Sequence, residues 1–348
     1  MTSPKTYKEA GVDIDAGSQA TDRIKQWVKR TSTPQVLSEI GLFGGMFDLS
    51  GLPEREPVLV SSVDSVGTKT KVAVACNRFD TIGVDIVNHC VDDILVQGAR
   101  PLFFLDYIAL AKMDPDQIEQ VVKGVSDACV ANGCALVGGE MCEMPDVYSS
   151  GDIDLVGSIV GVVDKSKILD GSKVSEGDKL IGIASSGLHT NGYTLARKVL
   201  YDDDPAKASD VPEGWDRSVG EALIAPHRSY FSPVWPLLEK DLVHGMAHIT
   251  GGGIPGNLSR SIPEGLCAQV HLNSWPIPPL FSLLAERTGA PTDELYKTFN
   301  MGIGFILCVA ADLADEILGR LDTPEVPAWL IGEVTAEETG GGRVRLVG

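Results

Sequence analysis

Residues 57–71, PVLVSSVDSVGTKTK, decide how the chain is read: an apolar run, an acid, a glycine turn, a hydroxyl and two lysines. Val58, Leu59, Val60 and Val63 give the run the composition of a buried strand, and the serines with Gly67 supply the turn that ends it. Asp64 therefore stands at the C-terminal end of a strand, where a loop feeds a helix and where open α/β sheets bind ligands. An acid that merely caps the helix entered at Thr68 would occupy the same place. The stretch by itself leaves both readings open.

On its N-terminal side, residues 18–30 read as a helix with Ile24, Trp27 and Val28 on one face and Lys25 at the edge, a position where most lysines are solvated. The Gly- and Pro-rich passage 41–57 reads as a loop. On its C-terminal side, TIGVDIVNHCVDDILVQG (81–98) repeats Ile82, Ile86, Val87, Cys90, Val91, Ile94 and Leu95 at helical spacing, and Gly98 with Pro101 ends the helix. Asp85, His89 and Asp92 share the opposite face, and Asp85 and Asp92 are expected to be solvated there. Asp93 lies beside the apolar stripe, where a carboxylate needs a partner. Apolar runs at 101–111, 134–141 and 154–164, with a helix over 115–131, continue an α/β pattern. The polar passage 165–178 is the expected domain boundary. Beyond it the chain alternates again: strands at KLIGIASSG, MAHIT, LCAQVHL, 301–310, WLIGEV and the tail, with a helix from Thr190 and others between the strands.

Composition narrows the class. At 348 residues the length suits about two domains. Hydrophobic residues at 43% and charged ones at 22% are ordinary for a soluble globular chain. No apolar run approaches the ~18 residues of a spanning helix, and MTSPKTYKEAG lacks the apolar centre of a signal peptide, so the expectation is cytoplasmic, with no membrane partner. A net charge of −19 opposes nonspecific nucleic-acid binding. It does not oppose a phosphate ligand brought with Mg²⁺, because carboxylates would then hold the metal. The seven cysteines include no C-x-x-C pair and read as reduced thiols.

Glycine-rich segments recur beside strands: VGGE (137–140), SSGLHTNGY (185–193), ITGGG (249–253) and NMGIG (300–304). Read as turns, they let backbone N–H groups approach an anion. Gly251, Gly253 and Gly256 match G-x-G-x-x-G formally, but Pro255 interrupts the turn, and Gly-Lys never occurs, so neither a dinucleotide fingerprint nor a Walker loop is present. His189 is expected at a loop mouth, with a structural cap as the bland alternative. His248 is expected to brace its own strand. Glu140, after two glycines, has the setting of a metal or substrate carboxylate.

Taken together, TYKEAGVDIDAG, VDSVGTK, DTIGVDIVNHCVDDILVQGA, PLFFLDY, ALVGGE followed by EMP, SSGLHTNGY and HITGGG resemble, in family order, the phosphoribosylformylglycinamidine cyclo-ligases, also called aminoimidazole ribonucleotide synthetases. The resemblance spans about Tyr7 to Val334. It implies an α/β (α+β) chain of two domains, 1–168 for ATP binding and dimerisation and 169–348 as an α/β sandwich, with N-terminal strands forming an intersubunit β-barrel in a homodimer. The implied reaction uses ATP to close the imidazole ring of formylglycinamidine ribonucleotide, giving aminoimidazole ribonucleotide, ADP and phosphate. ATP would phosphorylate the formamide oxygen, the amidine nitrogen would attack the formyl carbon, and phosphate would leave. Such chemistry rests on positioning and charge neutralisation. By the resemblance, Asp64 and Asp93 are catalytic and bind the Mg²⁺ of ATP, Lys25 serves the phosphates, and His189 is base or polariser. Thr68, Lys69, Gly138, Gly139, Glu140, Asn191, Thr250, Gly251 and Gly252 would complete the substrate and ATP sites.

The chain departs from the family pattern at Ser65, where glycine is usual, at Met141 and Cys142, where Thr-Ala is common, and at Asp92, where Asn is common. Ser65 raises the question of positive φ or close backbone approach. Kinases of thiamine monophosphate would share the ATP-binding acids. Selenophosphate synthetases have an early reactive cysteine, whereas the first here is Cys76, and hydrogenase-maturation relatives end in cysteine, whereas this chain ends in VRLVG. An inactive or regulatory nucleotide-binding dimer is the alternative from another class.

Overall fold

The computed structural model describes residues 4–201, 204–338 and 342–348, and the apolar runs of the two halves form two separate sheets. The first half runs α1 (Ile14–Arg30), β1 (Pro57–Ser65), α2 (Thr70–Cys76), α3 (Asp80–Leu95), β2 (Arg100–Leu110), α4 (Pro115–Ala131), β3 (Ala135–Glu143) and β4 (Ile153–Asp164). Asp13 caps α1 by accepting from the N–H groups of Asp15 and Ala16, and Asp114 caps α4 with Pro115 in its first turn. The strands pair in the order β1-β4-β2-β3, antiparallel except β2 with β3. α3 lies on this sheet and crosses α4 closely at two glycines. A Cβ on Gly83 would fall 2.1 Å from the Val121 carbonyl oxygen, and one on Gly124 would fall 1.9 Å from that of Asp80.

The second half runs β5 (Lys179–Ala184), α5 (Tyr193–Leu200), α6 (Val219–Leu223), α7 (Phe231–Glu239), β6 (Gly245–His248), α8 (Gly253–Leu258), β7 (Leu266–His271), α9 (Pro279–Thr288), α10 (Thr292–Thr298), β8 (Ile303–Val309), α11 (Ala314–Leu321), β9 (Ala328–Ala336) and β10 (Val344–Val347). Its sheet has the order β10-β7-β9-β5-β8-β6, with β10 and β7 parallel and the other described pairs antiparallel. β8 is buried throughout because helices cover both faces. Phe305, Leu307 and Val309 join Val234 and Leu237 of α7 and Ile317 of α11, while Ile306 and Cys308 join the cluster holding Leu258 of α8 and Phe281 of α9.

β1 is not the buried strand its composition suggests. Among the described residues it pairs only with β4, and Leu59 and Val63 are 54% and 66% exposed. VGGE is not a turn but lies inside β3. α5 begins at Tyr193 rather than Thr190, and two helices, α9 and α10, stand between β7 and β8. The largest correction concerns α3. The face expected to be solvated is interior: Asp85, His89 and Asp92 are all buried, because the second half of the chain lies across it, where the backbone N–H groups of His227 and Tyr230 donate to Asp85 and Asp92 and the Thr190 hydroxyl meets His89.

Candidate active site

α3 places its polar side chains one helical turn apart along the seam between the two halves, and each meets a different partner. At one end Asp85 accepts from Lys69 Nζ at 2.8 Å and from the His227 N–H at 2.6 Å. Lys69 also donates to the carbonyls of His189 (3.1 Å) and Ala225 (2.7 Å), so its ammonium is fully engaged. Both side chains have no solvent exposure. Burial pushes the Lys69 ammonium down and the Asp85 carboxyl up, each offset in part by the other's charge. Lys69, expected at the nucleotide, is thus placed as a bolt between the halves.

Asp92 accepts from the Tyr230 N–H at 2.8 Å through Oδ1, while its buried Oδ2 has no hydrogen-bond partner among the described residues and stands 3.5 Å from His227 Nε2. Burial raises this carboxyl well above the ordinary range. Its neighbour Asp93 is different. It is 28% exposed, accepts from Ser62 Oγ at 2.9 Å, and lies 2.9 Å from His248 Nδ1. Although burial opposes its charge, His248, His89 and Ser62 outweigh that and lower its pKa to about 2. Asp64, at the end of β1, accepts from the Ser65 N–H at 2.7 Å and lies 2.7 Å from His89 Nε2. Its pKa is also lowered, as His89 outweighs desolvation. Ser65 is not among the positive-φ residues, so its side chain causes no backbone strain. Two ionised, solvent-facing carboxylates are thereby brought together around one imidazole.

Other expected residues converge on the same seam. Thr68 Oγ1 lies 3.0 Å from Thr194 Oγ1 across it. Thr250 shares a cleft of about 430 Å³ with Ser62, Asp93, His248 and Arg260. Asn257 donates to the carbonyls of Thr250, Gly251 and Gly253, fastening the glycine loop, in which Gly252 takes φ 92°. A Cβ on Gly251 would approach Asn191 Oδ1 to 3.2 Å, so Asn191 borders that loop.

His189 is not at a loop mouth. It is wholly buried with φ 62°, its ring stacked on His227 at 4.0 Å. Burial and the neighbouring cationic groups push its pKa well down, so the ring is neutral. Nε2 accepts from the Ser186 N–H at 3.2 Å, which places the ring proton on Nδ1. That Nδ1 has no hydrogen-bond partner among the described residues, leaving a donor available. His248 does more than brace its strand: besides Asp93, it meets His227 with their Nε2 atoms 3.1 Å apart. Neither His227 nor the reach of His248 was foreseen. The signal that could have found them is on α3, whose stripe of Asp85, His89 and Asp92 has no lysine or arginine anywhere on the helix, unlike a solvated face.

Gly138, Gly139 and Glu140 lie elsewhere, in a cleft of about 550 Å³ between α1, residues 39–45 and β3. Gly139 is required there, since a Cβ would meet Asp106 Oδ1 at 1.7 Å. Desolvation raises the half-buried Asp106 to about 7. Lys25 is among neither group; it is exposed on α1 and paired with Asp22 at 2.7 Å.

With this geometry, comparison with known proteins gives a consistent result. Residues 48–163 match the AIR synthase related protein N-terminal domain, and residues 175–345 match its C-terminal domain. The phosphoribosylformylglycinamidine cyclo-ligase of Geobacter sulfurreducens is 51% identical over 98% of both chains. That of Bacillus pumilus is 48% identical over 97% of this chain and 99% of its own. Among solved structures, thiamine-monophosphate kinase from Stenotrophomonas maltophilia K279a shares the fold with a TM-score of 0.68 at 19% identity, covering 94% of this chain and 95% of that one. The hydrogenase maturation protein HypE in complex with ATP does so with a TM-score of 0.65 at 19% identity, covering 94% and 90%. The chain belongs to the phosphoribosylformylglycinamidine cyclo-ligase family.

Proposed function

We infer that the chain is the ligase that closes the imidazole ring in purine biosynthesis, converting formylglycinamidine ribonucleotide and ATP to 5-aminoimidazole ribonucleotide, ADP and phosphate. The observation that carries this reading is 51% identity over 98% of both chains with a curated relative of that activity. The retained acids make an inactive regulatory dimer the poorer account.

The residues present fit Mg²⁺. Asp64 and Asp93 are ionised oxygen donors open to solvent, each pre-oriented by a hydrogen bond, as a hard cation requires. Mg²⁺ there would neutralise charge on the transferring phosphoryl group. His189, neutral with its proton on Nδ1, suits a donor that polarises the formyl oxygen better than a base. Because its ring is buried, substrate reaches it only when the seam parts. Gly138 and Gly139 bring backbone close to a ligand in the α1 cleft, where Glu140 is exposed. Lys25 would serve phosphates by swinging away from Asp22.

We place the domain division at 168/169 and a second copy of the chain against β1. That edge strand exposes Leu59 and Val63, and Phe43 and Leu42 are exposed in the loop before it. No helix among the described residues is long and apolar enough to cross a membrane, and the cytoplasm is the compartment proposed. Incubation of the pure protein with formylglycinamidine ribonucleotide and Mg²⁺–ATP tests the function. Substrate-dependent ADP with an aminoimidazole product is expected; absence of both overturns it and favours the regulatory alternative.

A further inference from the structure

Three of the seam histidines are not needed as ligands by the chemistry above, and their arrangement has a purpose of its own to explain. His89, His227 and His248 are 2%, 1% and 4% exposed. Each offers a ring nitrogen, and the three nitrogens lie within 4.8 Å of one another. Their ring centroids form a nearly equilateral triangle, with sides of 5.3, 5.0 and 5.0 Å. A tetrahedral ion bonded to three imidazoles at ~2.0–2.1 Å spaces their centroids about 5 Å apart and their nitrogens about 3.3 Å apart. The His227 and His248 Nε2 atoms are already at 3.1 Å. We propose that His89, His227 and His248 form a binding site for a divalent transition-metal ion of the zinc class, distinct from the carboxylate pair that suits Mg²⁺.

The surroundings of the rings are those of metal ligands. His248 holds Asp93 through its other nitrogen, Nδ1, at 2.9 Å, and His89 holds Thr190 Oγ1 through Nδ1 at 2.5 Å, so two rings are fixed from behind and present Nε2. Among the described residues His89 Nε2 has no aligned hydrogen bond, although Asp64 Oδ2 is only 2.7 Å away. Among the described residues the third ring, His227, has an unpartnered Nδ1, and the likewise unpartnered Asp92 Oδ2 lies 3.5 Å from its Nε2. As His248 Nδ1 donates to an ionised carboxylate, a neutral His248 has a bare Nε2, and the hydrogen between the two Nε2 atoms belongs to His227. Metal binding would move that hydrogen to the vacant Nδ1 of the same ring, with no net change in its charge, and the Nε2 hydrogen that His89 shares with Asp64 would leave to solvent through that exposed carboxylate, so binding releases a proton. Three imidazole nitrogens beside carboxylates select Zn²⁺, Co²⁺, Ni²⁺ or Cu²⁺ over Mg²⁺.

Titration of the full chain with Co²⁺ alone is the test. One ion per chain is expected, with the intense visible bands of four-coordinate Co²⁺, and Zn²⁺ should displace it. X-ray absorption of the Zn²⁺ form should show about three imidazole nitrogens at ~2.0 Å. His227→Gln should weaken binding by at least about 100-fold, whereas Asp64→Asn should leave the bands in place. Absence of binding, an oxygen-rich shell, or a weak six-coordinate spectrum that survives His227→Gln and is lost in Asp64→Asn overturns the proposal. If His227→Gln fails to fold, the absorption spectrum of the unmodified chain decides alone. A chain that binds Co²⁺ as expected yet closes no ring would sink the preceding reading and leave this site standing.

Discussion

The cleft beneath α1 and the seam along α3 are both built from acids near glycines, and they differ in how they open those acids to solvent. In the cleft, Glu140 is exposed and Gly138 and Gly139 leave backbone within reach. At the seam, Asp85 and Asp92 are sealed, whereas Asp64 and Asp93 keep an opening to solvent. The contrast is sharpest between adjacent residues: Asp92 is pushed far up by burial, whereas Asp93 is held near 2 by His248, His89 and Ser62. One peptide bond separates a structural carboxyl from a ligand-ready one. What a carboxylate does here depends on what the other half of the chain places against it.

The largest effect should come from unbolting the seam. Lys69→Ala leaves the Asp85 charge buried without its partner and should lower unfolding free energy by about 3–5 kcal/mol in chemical denaturation, while Lys69→Met with Asp85→Leu should recover most of it. A loss under about 1 kcal/mol for the single variant would erase the distinction between seam and cleft. Next, Asp93→Asn should reduce kcat/KM about 100-fold with the fold intact, and Asp92→Asn should change it less than about 3-fold, since an amide still accepts from the Tyr230 N–H. Equal effects would show that the two neighbours share one role.

The smallest effect belongs to Asp106 in the cleft, and it depends on pH. A carboxyl raised from 3.8 to about 7 binds its proton more tightly in the folded chain. Its stabilising contribution is complete below about pH 4 and disappears as pH rises through 7. Asp106→Asn should therefore raise Tm at pH 8 and change it little at pH 4. An equal shift at both values would place Asp106 in water instead.

Much of the architecture was legible because single elements advertise themselves. The stripe Ile118, Val121, Val122, Val125 and Cys129, bounded by Asp114-Pro115, marks α4 to the residue. Asp64 and Asp93 also stood out, one by its strand end and one by its boundary position. Periodicity could not show that a second layer lies over the polar stripe of α3, because it reports which residues are apolar and not what covers the rest. Lys69, His227 and His248 acquire their partners 16 to 156 residues away, and no local pattern encodes those distances. β1 misled for the converse reason: β-branched composition fits an edge strand equally well.

The central claim is that ring closure takes place at the seam, with His189 acting on the reacting substrate and not on the nucleotide. Single-turnover measurement of His189→Ala with formylglycinamidine ribonucleotide and Mg²⁺–ATP, alongside ATP binding by the same protein, tests it most directly. The account predicts ATP affinity within about 3-fold of the unmodified chain and product formation slowed by at least about 100-fold. Collapse of ATP binding, or product formed at the unmodified rate, would contradict it.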